Sequence, residues 1–385
     1  MNHKERQLAA IRHQTPDRIP VDAQGIENLD AVGQLLGIPP AEVPDVLGVD
    51  GMNVGLGYAG PVELDQDGQV FTEWGTPACQ DWGSAHAYPL ANAESVAEIE
   101  RYAWPDPGLY DYATARNNAA QYSKNYAVRG PRFSVITHPL FILLGQEEAL
   151  VKMMLSPDVF EATVEHISQI TLEASRRYVK ACADHLDIFC VWEDFATQRG
   201  MMFSPDLWRQ FFKPRYARLF EVAKHAGKYV WFHSCGDITA VLPDLLDIGM
   251  DVWETVQLHT LPISPEELKK QYGKHLTFFG GVNTQRLPFI TPEEVSDEVD
   301  RCIRLLGKGG GYICGPDHHI KPDVPARNAL ALFKTACEFE APGYTCDARF
   351  ANRPGGVARQ DCQDGGVSPR QAERCGVASV VKGLS

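Results

Sequence analysis

Apolar runs alternate with amphipathic stretches along much of the chain. Six of the runs have the length and composition of strands, and a seventh, RIPVDA (18–23), lies near the start. The six are YAVRG (126–130), DIFCVWED (187–194), YVWFHSC (229–235), DVWETVQ (251–257), LTFFGGV (276–282) and GYICG (311–315). Because helical stretches separate most of them, the pattern predicts parallel strands linked by helices. Their apolar character suits strands that are buried on both faces.

The same signal opens four of the predicted helices. Ser or Thr is followed by Pro and an acidic residue at Ser156, Ser204, Ser264 and Thr291. The hydroxyl accepts a hydrogen bond from a free amide, and proline fits the first helical position. The acid lies at the positive end of the helix dipole.

Polar side chains gather at the carboxyl ends of the predicted strands. They are Glu193 and Asp194, His233 and Cys235, Glu254 and Gln257, Asn283 and Gln285, and Asp317 and His318. A barrel of parallel strands brings such ends to one mouth, where active sites are built. We therefore predict an α/β fold of the (β/α)8 TIM-barrel type. An open doubly wound sheet is the alternative, although no Gly-rich phosphate turn follows the first strand.

Some parts of the chain depart from this alternation. The candidate for the eighth strand is RFSVITH (132–138). Residues 50–90 are rich in Gly, Trp and Tyr, and Asp67-Gly68 predicts a hairpin, which we interpret as an excursion over the C-terminal mouth. Residues 342–385 are rich in Gly, Arg and Pro, which predicts a tail of low order beyond a barrel of residues 1–341.

Composition narrows the class of partner. Lys and Arg number 36 against 50 Asp and Glu, a net charge of -14, which argues against nucleic acid and anionic membranes. The net charge does not exclude an anionic substrate that binds in a local basic pocket. The ten cysteines have irregular spacing, and the polar segment 1–14 lacks the apolar core of a signal peptide. We therefore predict a cytoplasmic protein with reduced thiols.

His233 and Cys235 are the first candidates for chemistry. Side chains two apart on a strand share a face, so an imidazole and a thiol point the same way. They could be metal ligands, a catalytic pair or core residues. A further ligand would come from the last strand turn, ICGPDHHI (313–320), which offers Cys314, Asp317, His318 and His319.

Other polar residues near the strand ends are candidates for catalysis or binding. Glu193 and Asp194 are adjacent, so one of them should face the mouth, where it could orient a ligand or move a proton. Asp237 is the third candidate catalytic residue. The candidates for substrate binding are Gln198, Gln257, Asn283 and Gln285.

Several segments carry a family resemblance: KERQLAAIRHQTPDRIPVD, EDFATQRGMMFSPDLWRQFFKPRY, YVWFHSCGDI with LPDLLDIGMDVWETVQ, and FFGGVNTQRLPF with TPEEV. They resemble the uroporphyrinogen decarboxylase superfamily, and most closely its branch similar to cobalamin-dependent methyltransferases. The resemblance covers about residues 1–340 and implies a (β/α)8 barrel.

The resemblance also implies a metal site. In the methyltransferase branch a His-x-Cys pair and a later Cys bind zinc, and His233 and Cys235 match the pair. The later Cys corresponds by position to His318, so the third ligand is His318 or a displaced Cys314. The decarboxylase branch clamps its substrate with an Arg-rich N-terminal segment. The matching stretch, VDAQGIENLD (21–30), contains no Arg, which argues against a porphyrinogen octa-acid.

The resemblance, with His233 and Cys235 in place, implies a zinc-dependent methyltransferase, or demethylase, that works with a corrinoid. The methyl carrier would be a corrinoid protein or free methylcobalamin, and the other partner a thiol or another small acceptor. Large barrels often pair, so a homodimer is a further expectation. The alternatives are uroporphyrinogen decarboxylase and a barrel that binds a tetrapyrrole or metabolite without turning it over.

Overall fold

The computed structural model describes residues 1–339, except 62, 65, 67, 69 and 79–87. Its strands are β1 (Gly51–Asn53), β2 (Ala127–Ser134), β3 (Ile188–Trp192), β4 (Ala196–Thr197), β5 (Gly200–Met201), β6 (Tyr229–His233), β7 (Val252–Val256), β8 (Thr277–Val282) and β9 (Tyr312–Pro316). Seven of them form one parallel sheet in the order β1-β2-β3-β6-β7-β8-β9. Strands β4 and β5 form a small antiparallel hairpin.

The α-helices lie mostly between the strands. They are α1 (His3–Ile11), α2 (Leu29–Leu36), α3 (Val43–Val46), α4 (Val96–Glu100), α5 (Tyr112–Tyr122), α6 (Thr137–Leu144), α7 (Gln146–Leu155), α8 (Pro157–Ala181), α9 (Pro205–Phe211), α10 (Lys213–His225), α11 (Leu242–Asp247), α12 (Pro265–Tyr272), α13 (Pro292–Leu306) and α14 (Ala326–Glu338). Short 3-10 helices occupy Pro40–Glu42, Pro107–Leu109 and Leu258–Thr260. Within the described ranges, no helix combines the length and the apolar character needed to cross a bilayer.

Three of the four predicted helix caps form. The hydroxyls of Ser204, Ser264 and Thr291 accept from the amides of Leu207, Glu267 and Glu294. The fourth, Ser156, joins α7 directly to α8, and its side chain makes no capping bond.

A single extended segment closes the sheet into a barrel. Val21 forms parallel bridges to both Val49 and Cys314. The Cys314 amide donates to the Pro20 carbonyl at 2.9 Å, and the Asp22 amide donates to the Cys314 carbonyl at 3.0 Å. Residues 18–23, predicted as a strand, therefore lie between β9 and β1. The barrel prediction is confirmed.

The predicted eighth strand is wrong. Residues 132–134 continue β2, and α6 begins at Thr137. The missing strand is β1, which the sequence analysis assigned to the 50–90 excursion. β1 has three residues, Gly, Met and Asn, and none of them is β-branched or aromatic. A run this short and atypical does not stand out by composition.

Part of the predicted hairpin lies outside the described residues, including Asp67. Leu64 and Val70 form an antiparallel bridge on either side of Gly68, whose φ is 78°. Beyond it, Tyr110 donates to Glu73, and Trp74 meets Trp104 edge-on. The predicted tail, 342–385, lies wholly outside the described residues.

The N-terminal helix fills one end of the barrel. Leu8 and Ile11 of α1 join Trp231, Phe279 and Ile313 in one buried cluster inside the strands. The helix is tied to the last strand connection because the Gly311 amide donates to the Ala10 carbonyl at 3.1 Å. This end is therefore sealed, and the carboxyl ends of the strands form the open mouth.

A buried ion pair crosses the barrel interior. Arg129 on β2 donates through both terminal nitrogens to the Asp22 carboxylate, one of these bonds being 3.0 Å long. Both side chains are almost fully buried, and the guanidinium lies 4.6 Å from the centre of the Trp231 ring. The pair therefore joins the closing segment to β2.

We predict that Arg129→Met destabilises the fold by about 3–5 kcal/mol, because it leaves the Asp22 carboxylate buried without its partner. Urea denaturation would measure the loss of unfolding free energy. Arg218→Met is the control, since Arg218 also pairs with a carboxylate, Glu165, but is partly exposed. Equal losses in the two variants would show that the buried pair has no special weight in closing the barrel.

Candidate metal centre

Strand register places three functional side chains in one row. Trp192 on β3 is paired with His233 on β6, and His233 is paired with Glu254 on β7. Neighbouring residues in register on parallel strands point to the same face. Trp231, two residues before His233, lies in the interior cluster, so the row also faces inward, nearer the mouth.

Asp194, His233 and Cys235 form a compact group at this level. The Cys235 thiol lies 3.7 Å from His233 Nε2, and Asp194 Oδ1 also lies 3.7 Å from that nitrogen. All three ligand atoms are within 4.8 Å of one another. Asp194 further accepts from the Cys235 amide at 2.9 Å, which holds the two ends of the group together. These residues could hold a metal ion.

Contacts to Nδ1 and to the ring face fix the imidazole of His233. Gln24 Nε2 lies 2.9 Å from His233 Nδ1, and Glu254 Oε1 lies 3.8 Å from the same nitrogen. The Trp192 ring stacks on the imidazole with centroids 4.8 Å apart. Glu254 is itself held by the Trp231 indole N–H. Nδ1 is thus occupied within the barrel, and Nε2 points toward Cys235.

The orientation of the Gln24 amide decides the tautomer of His233. Its Oε1 is buried and lacks a hydrogen-bond partner within the described part of the chain. Amide oxygen and nitrogen are assigned from the hydrogen-bond network. Rotating the amide by half a turn places Oε1 against Nδ1, which can then donate its proton. The lone pair of Nε2 is then free to bind a metal, as second-shell acceptors arrange for ligand histidines.

Charge inside the group favours a bound cation. Burial lowers the pKa of His233, but hydrogen bonds to Asp194, Cys235 and Glu254 raise it well above its usual value. Burial raises the pKa of Glu254, yet the hydrogen bond and charge of His233 bring it down to about 2. Asp194 has a lowered pKa because the same hydrogen bond and charge outweigh its burial. Two carboxylates therefore surround one imidazole, and a metal ion would compete with the proton for the lone pair of Nε2.

The turn after Cys235 depends on glycine. Gly236 has a φ of 76°, a region that side chains disfavour, and a Cβ there would lie 2.3 Å from the Thr197 carbonyl oxygen. Its amide donates to Gln257 Oε1 at 2.8 Å. Asp237 then accepts from the amide and hydroxyl of Thr239. Gln257 and Asp237 thus shape the turn that presents the thiol.

The predicted third ligands lie outside the compact group. Cys314 belongs to the outer core, where burial raises its pKa to about 12, whereas Ile313 beside it points into the barrel. Burial and the charge of His233 lower the pKa of His318 to about 4, and its ring centroid lies 5.2 Å from that of His319. Within the described ranges, however, the ligand atoms that converge are those of Asp194, His233 and Cys235. Asp194 is therefore the third potential ligand in the compact group, and a role for His318 or Cys314 as a ligand stays a prediction.

The adjacent acids of β3 point in opposite directions, as predicted. Asp194 faces the metal group. Glu193 is buried on the other side, where it accepts from the amides of Val135, Ile136 and Thr137 at 2.6–2.9 Å. Burial raises its pKa to about 7. Its carboxylate therefore accepts hydrogen bonds at the start of α6 and does not face the mouth.

The remaining predicted binding residues are more exposed. Gln198 lies between β4 and β5 and is exposed. Asn283 uses its side-chain oxygen to accept from the Gln285 amide, and Gln285 is exposed. Their role in substrate binding stays a prediction.

Sequence reasoning missed part of the site. Gln24 lies some two hundred residues before His233 and follows the closing segment at Val21. The spacing along the sequence therefore did not connect the two residues. Trp192 reads as an ordinary apolar strand residue. The strand-end position of Glu254 was visible, and its place two residues after Val252 was the available signal that it faces inward.

Comparison with known proteins agrees with this architecture. The family model described as uroporphyrinogen decarboxylase (URO-D) matches residues 90–339. The solved structure of a methyltransferase from Methanosarcina mazei superposes with a TM-score of 0.57 at 18% identity, covering 87% of this chain and 98% of that one. At this identity the likeness shows the fold.

The curated relatives include both a methyltransferase and a decarboxylase. The methylcobamide:CoM methyltransferase MtaA of Methanosarcina barkeri is 25% identical over 185 residues, 48% of this chain and 50% of its own length. The chain thus matches half the length of that enzyme. The uroporphyrinogen decarboxylase of Coxiella burnetii is 21% identical over 264 residues, 65% of this chain and 68% of its own. Because the family model matches well over half of the chain, this protein belongs to the uroporphyrinogen decarboxylase (URO-D) family.

Proposed function

We propose that this protein is a zinc-dependent methyltransferase, or demethylase, that moves a methyl group between a corrinoid and a thiol or other small acceptor. The observation that carries the proposal is the group formed by Asp194, His233 and Cys235 at the barrel mouth. The similarity to MtaA, a methylcobamide:CoM methyltransferase, supports the reaction type.

The donor set suits zinc. Thiolate, imidazole and carboxylate are its three protein ligand types, and a catalytic zinc usually keeps three protein ligands and one exchangeable position. The second shell also fits, because Gln24 carries a buried oxygen beside His233 Nδ1. When bound, the ion supplies a Lewis acid that lowers the pKa of a substrate thiol in the open position.

The protein's own residues position the reactants. His233 cannot rotate, because Trp192 stacks on it and Glu254 and Gln24 hold Nδ1. Asp194 fixes the Cys235 backbone through the amide, and the Gly236 turn aims the thiol inward. A constellation that is rigid before substrate binds requires no rearrangement during the reaction.

The group transfer is a displacement at the methyl carbon. Asp194, His233 and Cys235 would hold the ion that binds the substrate thiol, whose proton would pass to solvent. The corrinoid would supply an electrophilic methyl group, so that the sulfur lone pair would form the carbon–sulfur bond and the electron pair of the carbon–cobalt bond would leave with cobalt. The reverse sequence demethylates a thioether.

Partners follow from this chemistry. The carrier is a corrinoid protein or free cobalamin, and the second substrate is a small methyl donor or acceptor. A cytoplasmic location is in keeping with the ten cysteines, and the net charge of -14 is in keeping with partners other than nucleic acid or anionic membrane.

The decarboxylase of the same family is the second candidate, favoured by the match to the Coxiella burnetii enzyme. That substrate class carries many carboxylates, which call for several free arginines. Of the two arginines of β2, Arg129 is already neutralised by Asp22, which leaves Arg132 as a single cation where such a substrate requires several. The methyltransferase is therefore the better supported of the two.

We predict that purified protein binds one zinc ion per chain and that Cys235→Ala lowers zinc content and thiol methylation together. Inductively coupled plasma mass spectrometry and an assay with methylcobalamin and small thiols would measure both. Cys314→Ala is the matched control, because that thiol lies in the outer core. Its zinc content should stay at one per chain, and loss of zinc there would restore Cys314 as a ligand.

The rival functions give distinct results in the same experiments. Protein without micromolar affinity for zinc that decarboxylates a porphyrinogen would favour the decarboxylase. Zinc or corrinoid binding without loss of a methyl group, over a panel of thiols and methylated compounds, would favour the binding barrel.

We predict that Gln24→Leu weakens zinc affinity about 10- to 100-fold, because it removes the acceptor for His233 Nδ1–H. Competition with a chelator of known affinity would measure the change. Gln198→Leu is the control, since Gln198 is exposed on the β4–β5 hairpin. Unchanged affinity in Gln24→Leu would contradict the assigned tautomer.

A further inference from the structure

Arg132 occupies a bulge in β2. Pro131 pairs with Cys190 and Phe133 pairs with Val191, so Arg132 between them has no partner on β3. Its φ is 58°, a left-handed conformation that is uncommon for a residue with a side chain. Bulges next to active sites redirect a side chain, and strained backbone of this kind concentrates at functional positions.

The bulge directs the guanidinium to the metal centre. Its central carbon lies 4.2 Å from the centre of the Trp192 ring, and the same indole stacks on His233. One terminal nitrogen donates to the Gln24 carbonyl, while the Gln24 side chain contacts His233. Arg132 is therefore separated from the metal ligands by a single aromatic ring, and both neighbours of its guanidinium belong to the site.

The charge of Arg132 is not neutralised by a protein carboxylate. In the described ranges no Asp or Glu oxygen lies within 4 Å of its guanidinium, whereas Arg129, three residues earlier, is paired with Asp22. Glu254, the nearest acidic influence, is held by His233 and Trp231. Within the part of the chain that the structure describes, the bond to Gln24 uses one of the five N–H groups of this guanidinium.

The other charges at this edge do not supply a partner. His319 lies close to Arg132, and its ring meets Trp192 edge-on at 6.3 Å. Glu27 accepts from both His319 and Lys321, so this carboxylate is already engaged. A half-buried cation without a counter-ion is costly unless a ligand provides one. An anionic ligand would supply the counter-ion that the protein side chains around Arg132 do not.

We propose that Arg132 binds a carboxylate group of the small molecule that reacts at the metal centre. The inference rests on the proposed function, because it assigns the substrate class of the same site as small carboxylic acids. The open edge of the guanidinium can form the bidentate pair that arginine makes with a carboxylate. The reacting atom and the acid are then only a few bonds apart, since one indole ring separates Arg132 from His233.

Calorimetry on the zinc-loaded protein tests this with two matched pairs of ligands. The first pair is 3-mercaptopropionate and 3-mercaptopropionamide, and the second is propionate and propionamide, which lack the thiol. We expect each acid to bind about 10- to 100-fold more tightly than its amide, the size of a charge-assisted hydrogen bond. Arg132→Met should remove that preference and leave zinc content unchanged.

Two further variants complete the experiment. Arg132→Lys keeps the positive charge but lacks the paired N–H donors of the guanidinium, so it should retain part of the preference for the acid. It also keeps the test decisive if the methionine variant fails to fold. Arg199→Met is the control, because Arg199 is exposed on the β4–β5 hairpin, and its preference should match the wild type.

The outcomes separate this inference from the proposed function. Preference for propionate that depends on Arg132 supports the inference even if no methyl transfer is found with any thiol. Methyl transfer with an acid preference that survives in Arg132→Met overturns the inference and leaves the proposed function in place. Equal binding of acid and amide by the wild type also overturns it.

Discussion

The register of three parallel strands is the constraint on which the site depends. β3, β6 and β7 are aligned so that Trp192, His233 and Glu254 stand side by side. One residue of slip in β6 would turn His233 into the helix layer, because successive side chains alternate between faces. The site is therefore not an addition to the barrel. Its ligands are in place because the apolar residues below them, such as Trp231, fill the interior.

Buried charged side chains occur in two different arrangements inside the barrel. Near the closing segment, Arg129 and Asp22 neutralise each other and serve the architecture. One level nearer the mouth, His233 is surrounded by Asp194 and Glu254 and lies open to a cation. Arg129 and Arg132 are only three residues apart on β2, yet Arg129 belongs to the ion pair and Arg132 contacts Trp192 beside the metal group. The bulge at Arg132 separates them, since it turns one arginine away from the ion pair and toward the mouth.

Sequence patterns predicted what local physics controls. Apolar runs and helix caps marked most strands and helices, and the alternation of strand faces separated Glu193 from Asp194. β1 was missed because three residues, one of them Gly, carry little signal. Asp194 was not predicted as a ligand because the resemblance pointed to the last strand turn, whereas Asp194 follows the strand beside His233. Arg132 was missed because a bulge is a property of pairing between strands.

Closure of the barrel also has a consequence for biosynthesis. The segment at Val21 is held by Cys314, and Ala10 is held by Gly311, so the ring joins residues almost three hundred positions apart. A nascent chain leaves the ribosome N-terminus first, so these partners emerge only after some three hundred further residues have been synthesised. Until then the edges of β1 and of the growing sheet lack neighbours, and contacts of this range form slowly. Such unpaired edges are what chaperones shield, so the final ring closure is the step at which this chain is most exposed to aggregation.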